Sequence, residues 1–321
     1  MRLYFKLMMK RFFLISLLSV LLWSCGDDGI PDFDLIPPRP LGEVALENDA
    51  EIIEFLETHF YNADEFANPP ADFDFRIRID TIAGENSDRR PLMDDIQSQD
   101  FTVSAIDFGL DQENAEDIPH TLYYLIAREG SGGRPTFADS TFVRIQGTNL
   151  QGGAFQPFNV QPMWFDLTAS VRGFTEGVTN LMAGGNVIVN PDGTFEVEDY
   201  GVGLVILPSG LGFFNNGPDV NLPPFASSMF TIDLFSAVVN TDHDNDGIPS
   251  FLEDLDNNRS VMNDNTDVDT ETFGIFVPNF LDADDDNDGI LTRDEIIINA
   301  DGTITFPDSD GDGTPDHLDN D

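Results

Sequence analysis

Lysine is missing from the chain after Lys10, and Cys25 is its only cysteine. The first absence removes a Walker-A phosphate loop and a Schiff-base lysine, and with them P-loop nucleotide hydrolysis and imine chemistry. The second removes internal disulfides and cysteine-based zinc centres. Positive charge is scarce throughout: 15 Lys+Arg stand against 59 Asp+Glu, a formal net charge of −44. Phosphate recognition needs clustered Lys and Arg, so neither nucleic acid nor nucleotide is expected as a partner. Four histidines in 321 residues offer no convincing catalytic triad. What is present is a 40 % apolar composition with 28 Phe, enough to build a core across two or three structural units.

Arg2, Lys6, Lys10 and Arg11 precede the apolar run Phe12–Leu22, which is too short to span a bilayer and has the make-up of a secretory signal. It ends in Leu22-Trp23-Ser24-Cys25, which resembles a bacterial lipobox with Trp23 bulkier than the usual residue. The resemblance implies a signal peptide over residues 1–24 and acylation of Cys25, an anchor in the membrane. Gly26, rather than Asp, follows the cysteine, and by the same resemblance this implies the outer membrane, facing the periplasm or the cell surface. Cleavage would leave 11 arginines against all 59 acidic residues.

Residues 25–43 carry Pro31, Pro37, Pro38 and Pro40 without periodicity and read as a tether. Residues 44–112 form an N-terminal extension with a helix and a strand. Asn48 or Asp49 is placed to cap the helix, with Ile52, Ile53, Phe55, Leu56 and Phe60 at helical spacing, and Phe73–Asp80 alternates as a half-buried strand. Residues 113–239 hold four strand patterns (121–126, 141–145, 202–207 and 230–234) and one short helix pattern, Thr175–Met182. The fold class is α+β, a curved antiparallel sheet wrapped on a short helix.

Within this stretch Val171-Arg172-Gly173-Phe174-Thr175-Glu176-Gly177-Val178 and Leu222-Pro223-Pro224-Phe225-Ala226 stand in order with Gly153-Ala154-Phe155, Leu207-Pro208-Ser209-Gly210 and Phe230–Leu234. Together they resemble the FKBP-type peptidyl-prolyl isomerases over about 125 residues. The resemblance implies an aromatic bowl for a proline ring, with Phe155, Val171, Phe213 and Phe230 as walls and Phe174 as floor, where the family usually has Trp. It also implies departures at the rim. Gln146 stands where Tyr is common, Gln156 where Asp is common, and Phe213 where the family has a hydroxyl-bearing Tyr. The loop before Phe155 is read as one residue short, and about 15 extra residues follow the helix near 186–200. The function so implied is cis–trans isomerisation of proline-containing polypeptides without a catalytic cofactor. The alternative is a module of the same fold that only binds.

Residues 240–321 hold 24 Asp/Glu and two arginines. Asp242, Asp244, Asp246, Gly247 and Glu253 fit the spacing D-x-[DN]-x-[DN]-G-x5-E, and so do Asp284, Asp286, Asp288, Gly289 and Glu295. Asp308, Asp310, Asp312 and Gly313 repeat it, with Asp319 in the closing place. Alternate carboxylates in a loop turned by glycine converge on a hard cation, and an all-oxygen set selects Ca²⁺ as a structural ion. Pro249 and Pro315 break the helices of an EF-hand, so the segment looks more like thrombospondin type 3 repeats, here without their disulfides. Asp254, Asp256 and the stretch 264–269 are candidates for shared ligands, while His243 and His317 are expected to face solvent.

Overall fold

Val202–Leu207 is an unbroken apolar run, the pattern of a strand covered on both faces, and it occupies the centre of the fold. The computed structural model describes residues 39–110, 117–155, 161–192, 194–268 and 276–320. Cys25, the signal segment, most of the tether and Gln156 lie outside the described residues. Among the described residues no helix is long and apolar enough to cross a membrane.

The strands in chain order are β1 (His59–Tyr61), β2 (Ile79–Thr81), β3 (Gln97–Ser104), β4 (Asp117–Arg128), β5 (Ser140–Asn149), β6 (Met163–Asp166), β7 (Val187–Val189), β8 (Phe195–Val197), β9 (Gly201–Leu207), β10 (Ser228–Val238), β11 (Ile297–Ile298) and β12 (Ile304–Thr305). Among the described residues the helices are α1 (Leu41–Thr58), α2 (Ala63–Ala67), α3 (Arg172–Val178) and α4 (Thr292–Glu295). The main sheet is antiparallel throughout, with the order β3-β4-β9-β10-β5-β6. All four strand patterns read in residues 113–239 lie within it. Its edge strand β3 comes from the stretch numbered above as the extension and pairs Phe101 with His120 of β4.

Alternation along β9 splits the core. Val205 and Leu207 face α3, and Leu204 and Ile206 face α1. On the first side α3 lies so close that a Cβ at Gly177 would come within 2.5 Å of Val205 Cγ1. On the second side α1 sets Ile52, Phe55 and Leu56 against Tyr123, Leu125 and Met229. Ile52 and Leu56 are fully buried, about 1.5–3 kcal/mol each for the side chain.

Three local expectations change. Helix α1 starts at Leu41, and Asn48, read as its cap, is buried within it. Of the expected strand over Phe73–Asp80 only Ile79 and Asp80 are paired in a sheet, within β2. Upstream, the Asp74 carboxylate accepts the Arg76 amide and Phe75 adopts φ +53°, a turn that gathers Phe73 and Phe75 around Phe66. Helix α3 begins three residues early and stops at Val178, where Thr179 Oγ1 and Asn180 Nδ2 both donate to the Glu176 carbonyl. The extra residues after α3 form the β7–β8 hairpin.

The described residues from 240 to 320 follow mostly as short turns beside α4 and the β11–β12 pair: Ser250–Glu253, Val261–Asn263, Asn279–Leu281 and Asp316–Leu318 are single 3-10 turns, three of them begun by Pro249, Pro278 and Pro315. They are held to the sheet region by a small apolar cluster in which Val261 and Phe280 pack with Phe137 and Ala138.

Candidate functional site

Two sites stand out, an aromatic cluster over the sheet and an acidic array in the C-terminal turns. The aromatic cluster forms where β5, β10 and α3 converge. Phe230 of β10 is opposite Gly147 of β5, and a Cβ at Gly147 would lie 2.7 Å from the Phe155 ring. The missing side chain makes room for phenyls to meet edge to face. Phe155 and Phe230 have ring centroids 5.6 Å apart at 89°, Phe155 and Phe213 5.7 Å apart at 78°, and Phe174 and Phe230 5.2 Å apart at 69°. Such geometry sets a ring's positive edge against its neighbour's negative face and fixes each ring's tilt. Phe155, Phe174 and Phe230 are buried, whereas Phe213 and Val171 are half-buried and form the open side. The structure therefore brings together Phe155, Val171, Phe174, Phe213 and Phe230.

Gln146 is elsewhere. In β5 it pairs with Thr231, and strand alternation turns it to the opposite face, where it lines a cavity of about 220 Å³ with Arg144, Thr231 and Asp233. The β5 residue on the cluster's side is Ile145, buried in the same core as Phe155 and Phe230. The reading of a loop one residue short displaced the choice by one position, which in a strand exchanges faces. The alternation Val143, Ile145, Gly147 was the signal that could have corrected it.

The acidic array is built by repeated turns. Asp242 Oδ1 accepts the amide of Asn245 at 2.7 Å and Oδ2 that of Gly247 at 3.1 Å. Asp308 accepts those of Gly311 and Gly313 at the same 2.7 and 3.1 Å. Gly247, Gly289 and Gly313 have φ of +104°, +94° and +106°, conformations that exclude a side chain. The result gathers Asp242 with Asp244 and Asp246, Asp284 with Asp286 and Asp288, and Asp308 with Asp310 and Asp312, their oxygens within 4.8 Å of one another.

The closing acids differ. Glu253 meets Asp246 and, from the second loop, Asp285, a residue outside the expected ligand set. All three are at most 3 % exposed, and among the described residues neither oxygen of Glu253 nor of Asp285 finds a hydrogen-bond partner. Burial first, then the surrounding carboxylates, pushes Glu253 up to about 10 and Asp285 up to about 9. Orphaned, buried, all-oxygen donors that resist ionisation fit a hard divalent cation, whose charge would reverse both effects. Glu295 is pushed up to about 7 by burial and by Asp286 and Asp288, so it stands with its own loop. Asp319 is not grouped with Asp308, Asp310 and Asp312; its backbone amide donates to the Asp316 carbonyl at 3.2 Å and lies near the Asp286 carboxylate. His317 is 5 % exposed and stacked on Phe306, and His243 is half-buried against Ser250, contrary to the expectation of solvent-facing rings.

Residues 243–306 match the family model described as BamM C-terminal, in place of the thrombospondin type 3 repeat of the sequence reading. Among curated proteins none matches the chain. Similar solved structures include a peptidyl-prolyl cis-trans isomerase from Pseudomonas syringae pv. tomato (22 % identity over 36 % of this chain and 74 % of that one, TM-score 0.30). FkpA from Escherichia coli is 17 % identical over 61 % of each chain, TM-score 0.33. The N-terminal domain of FKBP42 from Arabidopsis thaliana is 18 % identical over 36 % of this chain and 85 % of that one, TM-score 0.28. The low TM-scores leave the functional case to the chain's own side chains.

Proposed function

We propose that the chain is a lipid-anchored peptidyl-prolyl cis–trans isomerase that acts on proline-containing segments of exported polypeptides, with a C-terminal array that binds structural calcium. The observation that carries the enzymatic part is the cluster of Phe155, Phe174 and Phe230 with Phe213 and Val171 on its open side. Rotation about an X–Pro bond faces a barrier of about 18–20 kcal/mol, maintained by amide resonance that separates charge. Water favours the separated form, and an apolar bowl does not. A bowl shaped to the twisted amide binds it more tightly than either planar isomer, which lowers the barrier without nucleophile, base or metal.

Calcium supplies a different service. The orphaned oxygens of Asp246, Glu253 and Asp285 would receive a cation, and these buried carboxylates would ionise around it. The leader and Cys25 support anchoring in the outer membrane, facing the periplasm or the surface. The match to the BamM C-terminal family supports a place beside the outer-membrane assembly machinery.

A second reading is favoured by one observation: Ile145, not a hydroxyl-bearing side chain, meets the phenyls from β5, so that strand offers no polar grip on a substrate backbone. A binding module that does not catalyse would need no such grip. The test is a proline-isomerisation assay on the calcium-loaded chain and on Phe213→Ala, whose half-buried ring can be removed with the core left in place. Loss of one wall of the bowl should cost about 1–2 kcal/mol of transition-state binding, roughly tenfold in rate. A wild-type chain that binds proline peptides but does not accelerate their isomerisation would establish the second reading.

A further inference from the structure

Glu176 is on α3 two residues after Phe174 and is 1 % exposed. Its carboxylate is gripped at both oxygens by Arg259, Nε donating to Oε1 at 2.7 Å and Nη2 to Oε2 at 2.6 Å. Arg259 comes from a loop between Asp254 and Asp264 that lacks the D-x-D-x-D-G spacing. The loop is nevertheless wound around carboxylates. Asp254 accepts the amides of Asn258 at 3.0 Å and Arg259 at 2.9 Å, and Asp256 Oδ1 accepts the Asn258 amide at 2.9 Å. Asn257 and Arg259 both have positive φ, 58° and 67°, a conformation that Asn tolerates and that a long side chain such as Arg seldom adopts.

Asp254, Asp256 and Asp264 each place an oxygen within 4.8 Å of the others. Asp264 is 6 % exposed, and its Oδ2 is buried without a hydrogen-bond partner among the described residues. A buried carboxylate oxygen without a partner, facing two more carboxylates, is costly as a charge, and either a proton or a cation between them relieves it. Beyond the loop, Val261 packs with Phe137 and Phe280, and the Arg259 guanidinium lies 5.0 Å over the Phe137 ring, so the loop end has a fixed seat on the sheet region.

We propose that Asp254, Asp256 and Asp264 form a divalent-cation site outside the regular loops, and that the bound ion holds the loop in the form that delivers Arg259 to Glu176, coupling α3 and Phe174 to calcium. This rests on the calcium reading above and extends it to a site no loop motif marks. Without the ion the three carboxylates repel, the positive-φ turn relaxes, and Arg259 leaves its place. Glu176 is then a buried charge without a partner, and α3 loosens beneath the phenyl cluster. Linkage makes the effect reciprocal: whatever rigidifies α3 tightens cation binding.

The experiment is hydrogen–deuterium exchange on the full chain, reading the peptide that spans Arg172–Val178, beside calorimetric counting of bound Ca²⁺. Calcium should slow exchange of α3 by about tenfold or more in the wild type. Asp264→Asn should bind one ion fewer and lose that slowing, whereas Arg259→Gln should bind the full number and lose it too. Should Arg259→Gln fail to fold, the double variant Glu176→Gln/Arg259→Gln removes the buried charge together with its partner, and a calcium response of α3 persisting there overturns the proposal. Calcium uptake by the wild type with unchanged α3 exchange, or an unchanged ion count in Asp264→Asn, overturns it alone. No uptake by the wild type overturns the calcium reading as well.

Discussion

Asn48, buried in α1, donates its side-chain amide to the carbonyl of Phe225 at 2.9 Å, while its side-chain oxygen accepts the Ser209 amide at 2.7 Å. One residue thus ties α1 to both segments that flank the phenyl cluster, the turn after β9 and the Leu222–Ala226 stretch, where Phe225 has φ +68°. Asn48→Ala would leave the buried Ser209 amide unpaired, about 1–3 kcal/mol, and the half-buried Phe225 carbonyl as well, at a smaller cost. Chemical denaturation should register the loss. Asn48→Asp keeps the bond to Ser209 but turns a donor toward Phe225 into an acceptor, so it should fare no better than alanine.

The opposite faces of β5 give a paired test. Ile145→Ala opens space beside Phe155 and Phe230 and should lower both stability, by about 2–5 kcal/mol, and isomerase activity. Gln146→Ala alters only the cavity shared with Arg144 and Asp233 and should leave activity unchanged. Steady-state assays on the two variants decide it. Equal losses would mean that Gln146 reaches the bowl after all.

Much of the architecture was legible because its residues act locally. Val202–Leu207 is apolar at every position, and Val143–Gly147 of β5 and Phe230–Leu234 of β10 alternate, so these strands follow from side-chain period. Asn48 was misread because its polarity serves contacts 161 and 177 residues away, not the helix end. Phe73–Asp80 alternates like a strand, yet Asp74 spends its carboxylate on a turn that period alone does not reveal. The three D-x-D-x-D clusters were legible from spacing. Asp285 was not, because it serves the first loop from within the second, though a third consecutive Asp in Asp284–Asp286 is more than one loop requires.

His120 provides a pH prediction away from the acidic array. It is buried on β4, with Nδ1 3.0 Å from the Ile118 carbonyl and Nε2 without a partner among the described residues. Burial, above all, lowers its pKa from the usual 6.5, and nearby Arg172 adds to the effect. The unfolded chain therefore takes up a proton near pH 6.5 that the folded chain refuses. Stability from this residue is full above that pH and falls as pH drops towards the depressed folded value, by at most about 1.4 kcal/mol per pH unit. Urea titrations at saturating calcium between pH 7.5 and 5 should show the slope, and His120→Asn, which retains a donor for Ile118, should lack its share.

Asp285→Asn should reverse the sign of its effect with calcium. In the cation-free chain Asp285, Glu253 and Asp246 share one buried space, and removal of one acid relieves repulsion and desolvation, so the variant should melt higher than the wild type under chelation. With calcium the same change withdraws a ligand and a charge from the ion, and affinity should fall by roughly tenfold. An ion at a hundred times its Kd stabilises the folded state by about 2.7 kcal/mol, so a loaded wild type should overtake the variant as calcium rises. Melting curves for both proteins in chelator and across a calcium titration should therefore cross. If the variant stays below the wild type at every concentration, Asp285 is held by partners other than a cation. If it stays above, the ion does not need that carboxylate, and the first loop closes on Glu253 alone.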